Sequence, residues 1–426
     1  MYCGSCLRDN ALATELKSRG HDVMLLPVYT PTLTDEVNVS QDKVFFGGIS
    51  VYLEQYFSLF RNSPKWLDRL WDSKAMLEFA SRRSISTSPK MLGEMTVSML
   101  EGEDGFQHKE IVKLLDWLKD QDTPDIVSLP YTLLLGLAKP IKDSLNVPIF
   151  CTLQGEDLFL EGLQEPYRAK AKELIRAQVN NVDAFISVSE YYAGFMPEYL
   201  GIPRNKIQVV PLGINLTGYE KKRRRSSALF TIGFFARIAP EKGLKELAAA
   251  YRRLRKDESL TNARLEAAGY LAPEHRPYLA DVEREMTAAG LGDEFNYRGV
   301  VDREQKIAFL QSLDVLSVPA TYDEPKGIFL LEAMACGIPV VQPRRGGFTE
   351  IVEKTGGGLL VEPDDVESLG QGLLKLARTP KLREQFSDRG FTNVREHYSV
   401  ARMADSALVA YESLLNPAYR RVFAQG

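Results

Sequence analysis

Two stretches in the second half of the chain place charged residues where a phosphate-bearing ligand would need them. In Ala236-Arg237-Ile238-Ala239-Pro240-Glu241-Lys242-Gly243 two cations stand between an apolar run and a helix-forming run. A helix N-terminus offers unbonded backbone N–H groups, and Arg237 and Lys242 would add charge; together these suit a diphosphate. Two solvated surface charges flanking a turn would give the same pattern. The second stretch is Asp323-Glu324-Pro325-Lys326-Gly327-Ile328-Phe329-Leu330-Leu331-Glu332-Ala333-Met334-Ala335-Cys336-Gly337-Ile338-Pro339-Val340-Val341, with Glu324 in a loop and Glu332 in a helix. Gly327 permits close backbone approach to a ligand. Glu332 lies among Leu331, Ala333 and Met334, where an uncompensated carboxylate would be costly. A carboxylate there can accept hydrogen bonds from both hydroxyls of a ribose. The alternative is an amphipathic helix that turns Glu332 to solvent.

The elements that must position these residues alternate strand and helix, which predicts an α/β chain of parallel sheets covered by helices. Residues 7–19 read as a helix with Leu7, Leu12 and Leu16 on one side and Gly20 as its stop. Residues 23–27 read as a buried strand, and further strands are expected at 125–129, 147–153, 184–189 and 209–213. Between residues 52 and 118 the pattern is mostly helical and contains Trp66, Trp71 and Trp117. The basic run Lys221, Lys222, Arg223, Arg224 and Arg225 then interrupts the alternation. It restarts with strands at 230–235, 265–268, 295–298, 315–319, 339–342 and 359–361. Helices are expected at 244–256, 278–289, 303–310 and 328–335. This divides the chain into a Rossmann-like domain over 1–215, a second over 228–400, and a helical tail over 401–426. In two such doubly wound domains facing a cleft, ligands bind beyond the carboxyl ends of the strands. A doubly wound domain usually opens on its central strand, whereas this chain begins in the loop that would follow one. The first N-terminal strand is therefore expected upstream of Met1 and missing here, or else another segment fills its place.

Composition narrows the class. The 426 residues are 44% hydrophobic, enough for two or three domains. A net charge of −4 gives no general attraction to nucleic acid. No apolar run approaches the roughly 20 residues that span a bilayer, and the opening turns polar within a few residues, so no secretory leader is expected. Four cysteines are too few for a stapled secreted fold, which suggests a cytoplasmic chain. Cys3 and Cys6 form a C-x-x-C, but the four histidines (His21, His108, His275, His397) show no ligand-like spacing. A small-residue turn feeding a helix accounts for the pair.

Residues 233–243, 324–341 and Gly346-Gly347-Phe348-Thr349-Glu350-Ile351-Val352, continued through residues 356–365, resemble glycosyltransferase family 4, the glycosyl transferases group 1. These are retaining transferases of the GT-B fold. The resemblance covers nearly all of residues 230–400 and, more loosely, residues 4–20, 152–157 and 187–191. It implies that Arg237 and Lys242 hold the donor diphosphate and stabilise it as it leaves. It implies that Glu332 binds the ribose and that Glu324 contacts the transferred sugar. The backbone of Gly327, Ile328, Phe329 and Leu330 would complete the sugar and phosphate pocket, with Gly4 near the phosphates and acceptor. The donor would be a nucleotide-diphosphate sugar of hexose type, with no other cofactor and no metal, because fixed charges stabilise the leaving group.

One position departs from the family pattern. Many members carry a His where this chain has Gln154. Gln is no general base, though it can hydrogen-bond a sugar hydroxyl, and in a retaining mechanism the departing phosphate can take the acceptor proton. Glu156 and Asp157 could orient the acceptor, or simply cap a helix. The acceptor class stays open among glycan, lipid-linked and small-molecule compounds. The run 221–225 reads as a solvated linker, or as a patch drawn weakly to the anionic inner face of a membrane. Two other functions compete: a catalytically degenerate nucleotide-sugar-binding protein, and a nucleotide-sugar epimerase.

Overall fold

Parallel strands covered on both faces by helices read as near-continuous apolar runs, and the central strands Ile149–Leu153, Ala184–Ser187 and Phe230–Phe235 are of this kind, whereas Ala263–Ala268 carries Arg264 and Glu266. The structure is a computed structural model and describes residues 4–29, 31–47, 51, 55, 89–221, 229–257, 260 and 262–415. The chain forms two compact units, Ala13–Val210 with Asp405–Gly426, and Met1–Leu12 with Pro211–Ala404.

In the first unit, β1 (Val127–Leu129), β2 (Ile149–Leu153), β3 (Ala184–Ser187) and β4 (Ile207–Val209) form a parallel sheet in that order. Phe150 faces Ala184 and Cys151 faces Phe185 across the β2–β3 pair. Every residue of β2 and β3 is buried. Their side chains join Leu135, Ile141, Ile175, Met196 and Leu200 from the surrounding helices in one core. The helix Val400–Leu415 returns to this unit: Tyr411 packs edge-on against Phe150 at 5.2 Å, and Gln208 donates to Ser413 Oγ at 2.8 Å.

The second unit has β5 (Phe230–Phe235), β6 (Ala263–Ala268), β7 (Phe295–Tyr297), β8 (Val315–Leu316), β9 (Val340–Pro343) and β10 (Gly358–Val361). Their order is β10-β9-β8-β5-β6-β7, all parallel. The strand order reverses between β5 and β8, and at such a switch point the loops leaving the two central strands diverge and leave room for a ligand. The residues 236–243 follow β5 and the residues 317–327 follow β8, so both charged stretches leave the sheet at this point.

Several expected elements differ. Residues 23–27 are not a buried strand: Met24 is exposed, and pairing is limited to isolated bridges of Leu25 with Ser40 and Val28 with Phe45. Apolar sequence cannot form a strand where no neighbour offers a continuous ladder. The expected strand at 209–213 instead ends at Val209, and the one at 315–319 ends at Leu316. Two long helices, Val366–Arg378 and Pro380–His397, were not expected. Of the helical stretch 52–118, the helices Pro89–Leu100 and His108–Lys119 are described, and Trp117 packs at a tilt against Phe45, with ring centroids 5.2 Å apart. Trp66 and Trp71 lie outside the described residues, as do Cys3 and Lys222 to Arg225. Cys6 sits within the helix Gly4–Ser18. Among the described residues no helix is long and apolar enough to cross a membrane.

Candidate active site

The loop after β5 tightens into a short helical turn, Pro240–Lys242, and then turns through Gly243 into the helix Leu244–Leu254. Gly243 has φ +80°, and a Cβ there would sit 1.9 Å from the Pro319 carbonyl oxygen. Only glycine lets the loops after β5 and β8 approach this closely. Arg237 is 38% exposed in its side chain and donates to Glu241 at 3.0 Å. Lys242 is only 8% exposed. Its ammonium donates to Tyr322 Oη at 2.6 Å and to Glu324 Oε2, and Tyr322 donates to the same oxygen.

Glu324 is 5% exposed. Burial pushes its carboxyl upward, but the charges of Lys242 and Lys326 and the bonds from Lys242 and Tyr322 outweigh this and hold it at about 2. It is therefore a fixed anion at neutral pH. Burial beside this carboxylate drives the Tyr322 phenol far above its ordinary range, so Tyr322 stays a donor. The backbone of Glu324 is fixed too: its carbonyl accepts from Gly347 N–H at 2.8 Å, and a Cβ on Gly346 would lie 2.5 Å from that oxygen. The Gly346-Gly347 pair thus serves to let the next loop close on Glu324.

Gly327 has φ +128° and precedes the helix Ile328–Ala335. The N–H groups of Ile328 and Phe329 open this helix and have no intrahelical acceptor. Glu332, on the next turn, is 6% exposed and does not face solvent. Its Oε1 accepts from Lys306 Nζ at 2.6 Å and from Tyr219 Oη at 2.9 Å. Lys306 and Arg303 also lie over the Tyr219 ring, at 5.9 and 5.3 Å from its centroid. Both bonds fall on one oxygen, which leaves Oε2 for a further donor. Gly4 belongs to the same unit: a Cβ on it would lie 3.4 Å from Ile328 Cδ1.

Arg237, Lys242, Glu324, Gly327, Ile328, Phe329, Leu330, Glu332 and Gly4 thus fall in one unit, and Gln154, Glu156 and Asp157 in the other. There, Gln154 Nε2 donates to the Pro130 carbonyl at 2.7 Å, while its buried Oε1 has no partner. Glu156 begins the helix Asp157–Glu161 but does not cap it with its side chain. It accepts instead from Gln154 N–H at 2.9 Å and Thr132 N–H at 3.3 Å. Burial raises the Glu156 carboxyl, and these backbone bonds pull it partly back. Tyr192 donates to Asp157 Oδ1 at 2.7 Å.

Four participants escaped the sequence: Tyr322, Lys306, Tyr219 and Lys326. Lys306 left a readable sign, since it shares a helix face with Phe309 and Leu310, and lysine is rarely buried unless paired. Tyr219 left none, being 113 residues from its partner.

Residues 219–392 match the model of the glycosyl transferases group 1, and residues 99–217 match that of Glycosyltransferase Family 4. An uncharacterised glycosyltransferase of Methanocaldococcus jannaschii is 29% identical over 239 residues, covering 53% of this chain and 59% of the relative. The MMP alpha-(1->4)-mannosyltransferase of Mycolicibacterium hassiacum is 25% identical over 244 residues, covering 57% of each. The chain spans about half the length of the curated relatives it matches. Among solved structures, Anabaena HepE in complex with UDP-glucose superposes with a TM-score of 0.61 at 17% identity, covering 92% of this chain and 99% of that one. Its two parallel sheets give this chain the GT-B fold. With both family models matching in order along the sequence, the chain belongs to the group 1, family 4 glycosyltransferases.

Proposed function

We propose that the chain transfers a hexose-type sugar, with retention of configuration, from a nucleotide-diphosphate sugar to a hydroxyl of a glycan, lipid-linked or small-molecule acceptor. The observation that carries this is the buried Lys242–Glu324–Tyr322 cluster at the switch point, with Arg237 beside it. Breaking the anomeric bond sends negative charge to the diphosphate and positive charge to the sugar ring. Arg237 and Lys242 are the groups to hold the first, and Glu324, an anion at neutral pH, faces the second. Lys242 is already paired before a ligand arrives, so it is preorganised and needs little movement in the transition state. The departing phosphate takes the acceptor proton, which removes the need for a histidine at position 154. The Oε2 of Glu332 accepts from the ribose. No step assigned to these residues calls for a metal. Reaction takes place in the cytoplasm, with the basic run near residue 221 offering weak contact to an anionic membrane face.

HepE was solved with UDP-glucose, which makes UDP the first nucleotide to try. The test is a thermal-shift titration with UDP, GDP, ADP and their sugar conjugates. A ligand at about 100 times its Kd adds about 2.7 kcal/mol, a shift of several degrees. One nucleotide should stabilise the wild type and not Glu332→Ala, and Arg237→Ala should lower transfer more than donor binding. Unchanged transfer by Arg237→Ala would refute the diphosphate assignment. Donor binding without transfer to any acceptor would identify a degenerate binding protein, and acceptor-independent turnover an epimerase.

A further inference from the structure

The cations around this site are paired with carboxylates, with two exceptions in spare capacity. Arg237 pairs with Glu241 at 3.0 Å, Lys306 with Glu332 at 2.6 Å, and Lys242 with Glu324. Lys326 pairs with no carboxylate among the described residues; its ammonium donates only to Ser5 Oγ, at 3.0 Å. Arg8 is 3% exposed. Its Nη1 meets Asp9 at 2.7 Å, and its Nε and Nη2 are buried with no partner among the described residues. Unmade donor bonds on a buried guanidinium are costly unless something else makes them.

Lys326 reaches the first turn of the helix that carries Arg8. Lys326 Nζ lies 4.0 Å from the position of a Cβ on Gly4 and 3.0 Å from Ser5 Oγ. Arg8 follows Gly4 by four residues and Ser5 by three, so around the helix Gly4–Ser18 it falls between them. Side chains on a helix lean toward its N-terminus, which carries the Arg8 guanidinium toward the level of Lys326. The first turn of this helix holds no acidic residue, and its leading N–H groups point the same way. Asp9 takes only Nη1 of Arg8, and Glu324 is engaged by Lys242 and Tyr322.

We propose that Arg8 and Lys326, with the Ser5 hydroxyl and the first N–H groups of the helix Gly4–Ser18, form a subsite for an oxyanion. It takes a phosphate or carboxylate carried by the transferred sugar or by the acceptor, apart from the diphosphate assigned to Arg237 and Lys242. The assignment to a substrate rests on the transferase reading; the oxyanion site itself does not.

Inorganic phosphate is the probe. The wild type, Lys326→Met and Arg8→Met are titrated with phosphate by thermal shift at constant ionic strength, with UDP held saturating so that the diphosphate position is filled. The expected result is a phosphate-dependent rise in Tm of the wild type that both variants lose. Arg8 is buried and its variant can fail to fold; Lys326 is half-buried, and its variant then decides alone. No response to phosphate in the wild type, or a response that survives Lys326→Met, overturns the subsite. A tenfold loss of UDP affinity in Lys326→Met also overturns it, because the two cations would then belong to the diphosphate. If UDP fails to bind the wild type, the donor reading falls, and the phosphate titration without UDP still decides the subsite. Comparing UDP-glucuronate with UDP-glucose finds the source of the anion. A tenfold preference for the glucuronate that Lys326→Met abolishes assigns it to the transferred sugar, and equal binding assigns it to the acceptor.

Discussion

Glu324→Gln isolates the charge that the site is built to hold. The Glu324 carboxyl moves from its ordinary value of 4.5 to about 2 on folding. A displacement of that size contributes about 3 kcal/mol of stability at neutral pH. Because the folded value is the lower one, the contribution is complete above pH 4.5 and disappears as pH falls through about 2. By pH 3.5 roughly 1 kcal/mol of it is gone, since the unfolded chain already binds the proton there and the folded chain does not. The glutamine variant lacks this titration. At pH 7 it leaves Lys242 buried with Tyr322 as its remaining partner, at a cost of roughly 3–5 kcal/mol. Between pH 7 and 3.5 the gap between wild type and variant should therefore narrow by roughly 1 kcal/mol. Trp117 lies in the other unit and does not report on this cluster, so urea titrations should be followed by hydrogen exchange in the helix Ile328–Ala335. A gap that stays constant across this pH range would refute the account of Glu324 as an ion held by Lys242.

Lys306→Met should strand the Glu332 carboxylate, destabilise the second unit by about 3–5 kcal/mol and weaken donor binding. The double variant Lys306→Met/Glu332→Leu should recover much of that stability, and additive losses in the denaturation cycle would show that the pair does not interact. Gly243→Ala must push a Cβ into the Pro319 carbonyl, so a loss of about 1–3 kcal/mol is expected in a denaturant titration; a neutral result would mean the two loops can separate without cost. Gln154→Leu removes the one buried oxygen of that side chain that has no partner, and should raise KM for the acceptor while leaving donor Kd unchanged. A change confined to the donor would misplace Gln154.

The second unit was legible because strand-like runs alternate there with helix-forming ones, and most of the runs end near a glycine or proline. Phe230–Phe235 and Ile328–Ala335 fall where periodicity put them. The strand expected at 23–27 shows the limit of the same signal: an apolar run says that a segment wants cover and nothing about whether a neighbouring strand is present to pair with it. Val366–Arg378 and Pro380–His397 escaped because their apolar residues are spaced among many charges. At the site, Arg237, Lys242, Glu324 and Glu332 were visible as residue types in ordered motifs. Their partners were not. Tyr322 stands two residues from Glu324 and looks like an ordinary loop tyrosine until the fold turns it onto Lys242. Lys306 and Tyr219 reach Glu332 from 26 and 113 residues away. Pairings of that range are products of topology, and no local pattern encodes them.

Neither unit is a single stretch of sequence. Residues up to Leu12 belong with Pro211–Ala404, and the segment from Asp405 belongs with Ala13–Val210. A gene encoding this chain has no one position at which it can be divided into two self-sufficient pieces. Cutting near residue 211 would strip the second unit of Gly4, Ser5 and Arg8, and would leave the Phe150 ring of the first without Tyr411. Exchange of halves between relatives must therefore carry three junctions rather than one. A chimera that moves the central span alone inherits the loops after β5 and β8 from one parent and the helix that meets Lys326 from the other.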